Sequence, residues 1–430
     1  MSRKNVLVFP GATEIGLEIW RALKDCKDIM LFSAGSEIPN HAPYVYYNHF
    51  IVPDVNSNSD WISTLNKIIL EHQVDYIYPA HDDVIVALAL NKDKIKTKII
   101  SSPLETCLIC RSKTKTYKRF AKLLPVPKMY KNIDEIENYP VFVKPDKGQG
   151  AKDAQKVNDK KSLQLLLEKI PDLVVLEYLS GKEYTVDCFT DREKGLLFCS
   201  GRERVRTKSG ISMNSKPVSE ELNKKFREYA NIICKELDIY GAWFFQLKLD
   251  SMGVFKLLEI APRISGTMCT HRVLGINFPL LSIYEEERVD LKILKNEYQV
   301  EVDRALVNRY KHNINFNKVY VDLDDTIIIN DKLNIQLISF LFQCLNNGCK
   351  IILITKTNSN LNDVLSKWRI ADIFDEVIWI KKDQSKADFI NPEDAIFIDD
   401  SFAERKSVFD RHKIPTFDCN MIELLTDERV

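Results

Sequence analysis

Three observations predict a multidomain chain that combines α/β and α+β layers. Short apolar strand patterns alternate with helical ones over residues 1 to about 105. From about 112 to 300 the texture changes, and strand runs outnumber helices. An α/β pattern then resumes at Lys318 and runs to the end. A length of 430 residues accommodates roughly two to four domains. With 45% hydrophobic and 28% charged residues, the balance is that of globular proteins, so each piece can bury its own core.

The elements follow in order. Asn5-Val-Leu-Val-Phe9 is a β-branched run that ends at Pro10-Gly11, and a helical pattern covers Glu14 to Leu23. Ile29–Ser33 and Asp75–Pro79 read as strands, Asp60–His72 and Val84–Asn91 as helices. In the middle region, strands are expected at Val141–Lys144, Leu173–Glu177, Glu183–Asp187, Gly195–Ser200, Ala242–Leu249 and Phe255–Ile260. Helices are expected at Lys161–Lys169 and Glu220–Glu236. A charged stretch, Tyr284 to Asp290, precedes the last α/β pattern, which opens at Lys318-Val-Tyr-Val-Asp322. No Pro/Gly/Ser linker, low-complexity tract or repeat separates these regions.

Composition excludes several classes. Lys+Arg and Asp+Glu both number 61, so neither a nucleic acid nor a membrane surface is signalled as a partner. No signal-peptide pattern follows Met1-Ser2-Arg3-Lys4, and no apolar run approaches the roughly 20 residues of a membrane span. Ten scattered cysteines suit reduced, cytoplasmic thiols. Cys107 and Cys110 are the one close pair, and no second Cys/His pair completes a zinc site.

Phosphate-handling chemistry is suggested by an ordered set of residues. Lys113 opens a predicted helix, and Lys144 ends the strand Pro140-Val-Phe-Val-Lys144. After it comes Gly148-Gln149-Gly150, where glycines let backbone N–H groups approach an anion. Glu177 ends an apolar strand and could accept from a base amino group; Glu183 could bind ribose hydroxyls. Either could equally be a solvated strand end. Gln246-Leu-Lys-Leu-Asp250 and Leu258-Glu259-Ile-Ala-Pro-Arg263 follow. A strand carboxylate such as Glu259 wants a cation, and Mg²⁺ bridging phosphates is a natural one. Arg263 could grip a phosphate.

The order Lys113, Lys144, glycine loop, Glu177, Glu183, Gln246, Glu259, Arg263 resembles ATP-grasp enzymes of the carbamoyl-phosphate-synthase and carboxylate–amine ligase type. Ser101-Ser-Pro103 and Leu124-Pro-Val-Pro127 add to the likeness, which covers about residues 5 to 310. The resemblance implies a Rossmann-like pre-ATP-grasp domain over 1–108 and an ATP-grasp domain over 109–312. It implies ATP with Mg²⁺ or Mn²⁺ as cofactors. Lys113 and Lys144 would contact the phosphates, and Gly148, Gln149 and Gly150 would form a phosphate lid. Glu177 and the backbone near Leu179 would read adenine, and Glu183 would hold ribose. Gln246 and Glu259 would ligate the metal, and Arg263 would steady the transferred group. The implied reaction activates a carboxylate as an acyl phosphate for attack by an amine or other nucleophile. Its substrates would be small molecules, of sugar or amino-acid type among others, and a homodimer is compatible with it. The family often carries Asn two residues after the metal-binding Glu; this chain has Ala261, which removes one oxygen ligand.

Two further features stay open. Alternation places Arg202, Arg204 and Arg206 on one side of an extended chain, as a solvated face or as a binder of carboxylate or phosphate. Gly11-Ala-Thr-Glu-Ile-Gly16 lacks the Lys-Ser/Thr of a phosphate-binding loop. His81-Asp82-Asp83 follows a strand end and is a candidate substrate-side contact.

The last region has its own constellation. Asp322, Asp324 and Asp325 crowd the end of an apolar strand and repel one another unless a cation relieves them. Ile396-Phe-Ile-Asp399-Asp400 repeats the arrangement, with Thr355 and Lys386 between. This set resembles the haloacid-dehalogenase (HAD) superfamily over about 316 to 425, implying a HAD-like domain at 313–430. By that resemblance Asp322 is the nucleophile, Asp324 the general acid/base and an additional metal neighbour, and Thr355 and Lys386 bind the phosphoryl group. Asp322, Asp399 and Asp400 would hold Mg²⁺; Lys382 is a rival for Lys386. Thr326 to Thr355 leaves 28 intervening residues and Thr355 to Lys386 leaves 30, too few for a cap domain. The expectation is a bifunctional ligase–phosphohydrolase. An ATP-grasp kinase and a nucleotide-binding regulator with degenerate ligase activity are the alternatives.

Overall fold

The computed structural model describes residues 3–57, 60–148, 150 and 152–429. The chain divides into two compact units, 1–306 and 307–429.

The N-terminal unit begins with a parallel sheet. Its strands are β1 (Lys4–Phe9), β2 (Ile29–Gly35), β3 (His49–Ile51), β4 (Tyr76–Pro79) and β5 (Lys98–Ile99), in the order β3-β2-β1-β4-β5. Val6, Leu7 and Val8 are all fully buried, because the central strand of such a sheet is covered on both faces. That is why β1 reads as an unbroken apolar run. Helices α1 (Glu14–Leu23), α2 (Trp61–Glu71) and α3 (Asp82–Leu90) begin at Thr13, Asp60 and His81, whose side chains accept backbone N–H groups. The His81 cap starts α3 two residues earlier than the apolar pattern predicts. The strand order reverses at β1 and β4, so the segments leaving them open on one edge of the sheet. Glu14 and Asp82 stand at that edge.

Helices α4 (Leu104–Arg111) and α5 (Lys113–Phe120) lead into a small antiparallel sheet. It comprises β6 (Met129–Tyr130), β7 (Val141–Pro145), β8 (Gln155–Val157) and β9 (Leu173–Glu177), in the order β6-β9-β7-β8, with α6 (Lys160–Lys169) against it. A six-stranded antiparallel sheet follows: β10 (Glu183–Asp191), β11 (Gly195–Lys208), β12 (Ile211–Pro217), β13 (Gly241–Leu249), β14 (Phe255–Ala261) and β15 (Val302–Asp303). Its order is β14-β13-β10-β11-β12-β15. Helix α7 (Glu220–Glu236) covers one face with Phe226, Tyr229, Ala230 and Ile233. From the other face, Phe189, Phe198 and Phe244 join Val6, Ile15 and Trp20 in one core. The first sheet is thus packed into the unit rather than standing alone. Short α8 (Cys269–Arg272) and α9 (Phe278–Glu286) complete this core.

The C-terminal unit is a second parallel sheet. Its strands are β16 (Lys318–Val321), a small hairpin of β17 (Ile328–Ile329) and β18 (Lys332–Leu333), then β19 (Lys350–Thr355), β20 (Glu376–Trp379), β21 (Ala395–Ile398) and β22 (Thr416–Phe417). The main sheet runs β20-β19-β16-β21-β22, with β16 central and buried. Helices α10 (Ile335–Asn346), α11 (Leu361–Trp368) and α12 (Phe402–His412) pack around it. Between Thr326 and Thr355 lie only the hairpin, α10 and β19. Among the described residues, no helix is long and apolar enough to cross a membrane.

Candidate active sites

In the N-terminal unit, Lys113 is placed by the cap of α5. Asp146 accepts from the Thr114 N–H (2.7 Å) and from the Ser112 hydroxyl (2.7 Å), tying the start of α5 to the end of β7. The Lys113 ammonium donates to the Gly148 carbonyl at 2.8 Å, and Arg111 donates to the same oxygen at 3.2 Å. Gly150 has φ of +65°, which the missing Cβ permits. Gln149 lies outside the described residues. Lys144 reaches the Leu258 carbonyl at 3.4 Å, and the Tyr117 hydroxyl donates to it at 2.9 Å. Burial lowers the pKa of both Lys113 and Lys144, and the negative charge of Glu259 is the largest influence opposing it.

Glu259 comes to this position through a bulge. Strand β14 pairs Glu259 with Gln246 but Leu257 with Leu247, which leaves Leu258 as the extra residue. Simple alternation about Glu259 is therefore broken. Gln246 and Glu259 become direct cross-strand neighbours in a cleft of about 610 Å³. The cleft also touches Gly148 and Gly150, Arg204 and Arg263.

Arg263 does not face the cleft unpartnered. Asp82 accepts from its Nε at 2.5 Å and from its Nη2 at 3.0 Å. Burial pushes the Asp82 carboxyl up, but Arg263 and, more weakly, Arg111 outweigh it and hold it at about 2. Asp83 in turn takes Arg111 at 2.8 Å. Asp82 and Asp83 thus act on the arginines of this site rather than standing as a lone substrate contact. Ala261 is buried in the core, so no oxygen donor stands two residues after Glu259.

At the far end of β9, Glu177 accepts from the Lys128 N–H at 2.8 Å and pairs with Lys256 at 3.3 Å. Leu179 is buried. Glu183 pairs with Arg204 at 2.9 Å and Lys248 at 3.5 Å. Neither glutamate is the free strand-end residue that composition alone suggests.

The three arginines of β11 do not share one environment, which corrects the expectation from alternation. Register shifts lie between Arg204 and Thr207. Arg202 is fully buried and holds Asp187 (2.7 Å), Ser215 and Ser265. Arg204 lines the cleft and Arg206 is exposed, paired with Asp303 at 2.6 Å. Asp187 also takes His271 Nε2 at 3.1 Å. Burial pushes the Asp187 carboxyl up, but Arg202 and His271 bring it to about 2. Asp187, Ser265 and His271, like Thr185 and Arg304 on the cleft wall, carry no motif in the sequence.

In the C-terminal unit, Asp322 follows β16 and Asp399 follows β21, neighbouring strands that end side by side. Lys386 bridges them, 2.6 Å from Asp322 and 2.7 Å from Asp399. Carboxylate oxygens of Asp322, Asp399 and Asp400 lie within 4.8 Å of one another, the only group of three or more metal-type ligands among the described residues. Thr326 fixes Asp400: its hydroxyl accepts the Asp400 N–H at 3.0 Å and contacts the carboxylate at 3.3 Å. Burial, with Asp399 adding to it, pushes the Asp322 carboxyl up to about 7 against the opposing pull of Lys386. Lys386 itself is raised, because the two carboxylates outweigh its burial. Thr355 is fully buried at the end of β19. Asp324 is exposed and is not one of the three carboxylates that lie together. Lys386 opens a short 3₁₀ turn (Lys386–Phe389), and Lys382 is exposed.

Comparison with known proteins bears on the N-terminal unit. Residues 169–315 match the family described as ATP-grasp in the biosynthetic pathway with Ter operon. The carbamoyl phosphate synthase large chain of Clostridium acetobutylicum is 28% identical over 189 residues, 41% of this chain and 18% of that protein. The D-alanine–D-alanine ligase of Fusobacterium nucleatum is 26% identical over 163 residues, 36% of this chain and 50% of the ligase. This chain therefore spans half or less of the length of these curated relatives. Biotin carboxylase from Campylobacter jejuni, solved as a β,γ-ATP complex, superposes with a TM-score of 0.56 at 19% identity, covering 67% of this chain and 72% of that one. By its mixed α/β fold and this sequence match, the N-terminal unit is similar to ATP-grasp enzymes.

Proposed function

We propose that the N-terminal unit is an ATP- and Mg²⁺-dependent ligase that joins a carboxylate to an amine or related nucleophile through an acyl phosphate. One observation carries this reading: Glu259 sits across from Gln246 and is the main negative influence on both Lys113 and Lys144. An acid and a neutral oxygen donor in one cleft, with two ammonium groups that feel the acid's charge, suit a triphosphate and its cation. The relatives named above agree, being a synthase, a ligase and a carboxylase.

The donor set fits a divalent ion held mostly by its nucleotide. Glu259 offers a carboxylate and Gln246 a carbonyl oxygen, while Ala261 offers nothing; Mg²⁺ commonly keeps waters beside one or two carboxylates. When bound, the ion neutralises charge on the transferred oxygens. Mn²⁺ suits the same oxygens. The chain's own residues do the rest. Lys113 and Lys144 stabilise negative charge on the phosphates, and Gly148 and Gly150 let backbone come close to them and shield them from water. Asp82 holds Arg263 in a fixed orientation, ready for the acyl phosphate. Glu177 and Glu183 lie at the base and sugar end.

We infer for the C-terminal unit a Mg²⁺-dependent phosphohydrolase or phosphotransferase of HAD type, without a cap. The Asp322–Lys386–Asp399 bridge supports it. Asp322 would attack phosphorus and release the alcohol, and water would then free phosphate from the aspartyl phosphate. Asp324, exposed at the strand end, would move the proton, with Thr355 and Lys386 on the phosphoryl oxygens. Asp322, Asp399 and Asp400 would hold the ion.

The test is ADP release with MgATP across carboxylate–amine pairs. Wild type should turn over only when both partners are present, and Glu259→Ala should lose about 10²–10³-fold. An active Glu259→Ala enzyme would refute the metal assignment. A stable phosphate ester as product would make the unit a kinase instead.

A further inference from the structure

The cleft beside Glu259 holds two charges that its neighbours leave over. Glu14, at the start of α1, and Arg304, just after β15, both line it. Glu14 Cγ lies 2.9 Å and Arg304 Nη1 3.2 Å from the point a Cβ on Gly266 would occupy, so the two flank the same bare patch of backbone. They form no ion pair with one another, nor does either side chain hydrogen-bond to any other described residue.

Their natural partners are already taken. Arg263, the cation whose charge feels Glu14, is held bidentately by Asp82 at 2.5 and 3.0 Å. Glu18, the carboxylate that feels Arg304, is held by Arg272 at 2.8 Å. A third group points to a ligand. Thr185 is 1% exposed, lines this cleft, and its hydroxyl has no hydrogen-bond partner among the described residues. A buried polar group without a partner is costly unless something fills it.

An anion and a cation set close together but unpaired, with a spare hydroxyl in the same cleft, match a small zwitterion. We propose that this cleft binds a free α-amino acid, its ammonium on Glu14 and its carboxylate on Arg304, with Thr185 taking a remaining hydrogen bond. Gly266 leaves the room between the two charges. This rests on the ligase reading above and names one substrate class for it. A carboxylate without an ammonium satisfies only Arg304, and an amine without a carboxylate only Glu14.

The experiment is calorimetric titration of the full chain, first with a non-hydrolysable ATP analogue and Mg²⁺, then with the common L-amino acids and D-alanine. Each amino acid is run beside its N-acetyl and methyl-ester derivatives. At least one free amino acid should bind, and both of its derivatives should bind about tenfold or more weakly, since each loses one charged contact. Glu14→Gln should lose the preference over the N-acetyl form, and Arg304→Gln the preference over the ester. Arg304→Lys should recover part of it, which separates a lost contact from a damaged fold. If the nucleotide analogue binds and no amino acid does, the zwitterion site is overturned while the ligase reading stands. Amino-acid binding that both variants leave unchanged overturns it equally. Amino-acid binding with no nucleotide binding overturns the ligase reading and keeps the site.

Discussion

At the scale of single residues, the two sites use burial in opposite ways. Lys113 and Lys144 are charges partly stripped of water, steadied by Glu259, so an incoming phosphate finds them poorly hydrated. Replacing Lys113 by Met should raise the KM for ATP about tenfold to a hundredfold, the worth of a charge-assisted contact, as steady-state ADP release would show. Asp187 is the structural counterpart, a carboxylate held by Arg202, His271 and the Ser265 hydroxyl. Asp187→Asn leaves Arg202 buried without its counter-charge and should cost about 3–5 kcal/mol at neutral pH. The sign with pH follows from a folded value near 2, below the ordinary carboxylate value. The stabilisation is fully present above about pH 4 and fades as pH falls toward 2. Urea unfolding at pH 7 and pH 3 should therefore show a smaller gap between wild type and variant at the lower pH.

At the scale of elements, backbone irregularities decide where side chains meet. The bulge at Leu258 turns two of its neighbours to useful ends: Glu259 meets Gln246, and the Leu258 carbonyl receives Lys144 and Tyr117. The packing of α7 on β11 depends on a missing side chain. A Cβ on Gly201 would lie 2.4 Å from the Phe226 ring, and Phe226 is fully buried beneath α7. Gly201→Ala should therefore cost about 1–3 kcal/mol by overpacking. Thermal unfolding would register it as a fall in Tm, while the isolated change to Ala at Gly195, where nothing lies within 4 Å of a Cβ, would serve to separate crowding from the left-handed backbone there.

At the scale of the whole molecule, each candidate site is built from one compact unit. Every residue of the Glu259 site lies before 307, and Asp322, Thr355, Lys386 and Asp399 lie after it. Asp322→Asn should then abolish the phosphatase activity proposed for the C-terminal unit, assayed on a generic phosphomonoester, and leave substrate-dependent ADP release within about twofold of wild type, because sites that share no residue or partner act nearly additively. Loss of both activities in that variant would mean that the two chemistries depend on one another. Lys386→Ala should lower the melting temperature as well as phosphatase activity, since it leaves Asp322 and Asp399 facing each other uncompensated. Added Mg²⁺ should recover part of the stability.

Much of the architecture was written locally. Strands and helices at Glu14–Leu23, Leu173–Glu177 and Glu220–Glu236 begin and end where apolar period and capping residues place them. The carboxylates after β16 and β21 were legible too, because three acids at the end of an apolar strand demand a cation. What lay beyond the sequence was the company each charge keeps. Asp82 finds Arg263 across 181 residues, Asp187 finds His271 across 84, and Glu14 and Arg304 come to share one glycine's space. Periodicity and caps are short-range and leave traces in neighbouring residues. Ion pairs, bulges and vacant partners depend on which strands lie side by side, and only the folded chain decides that.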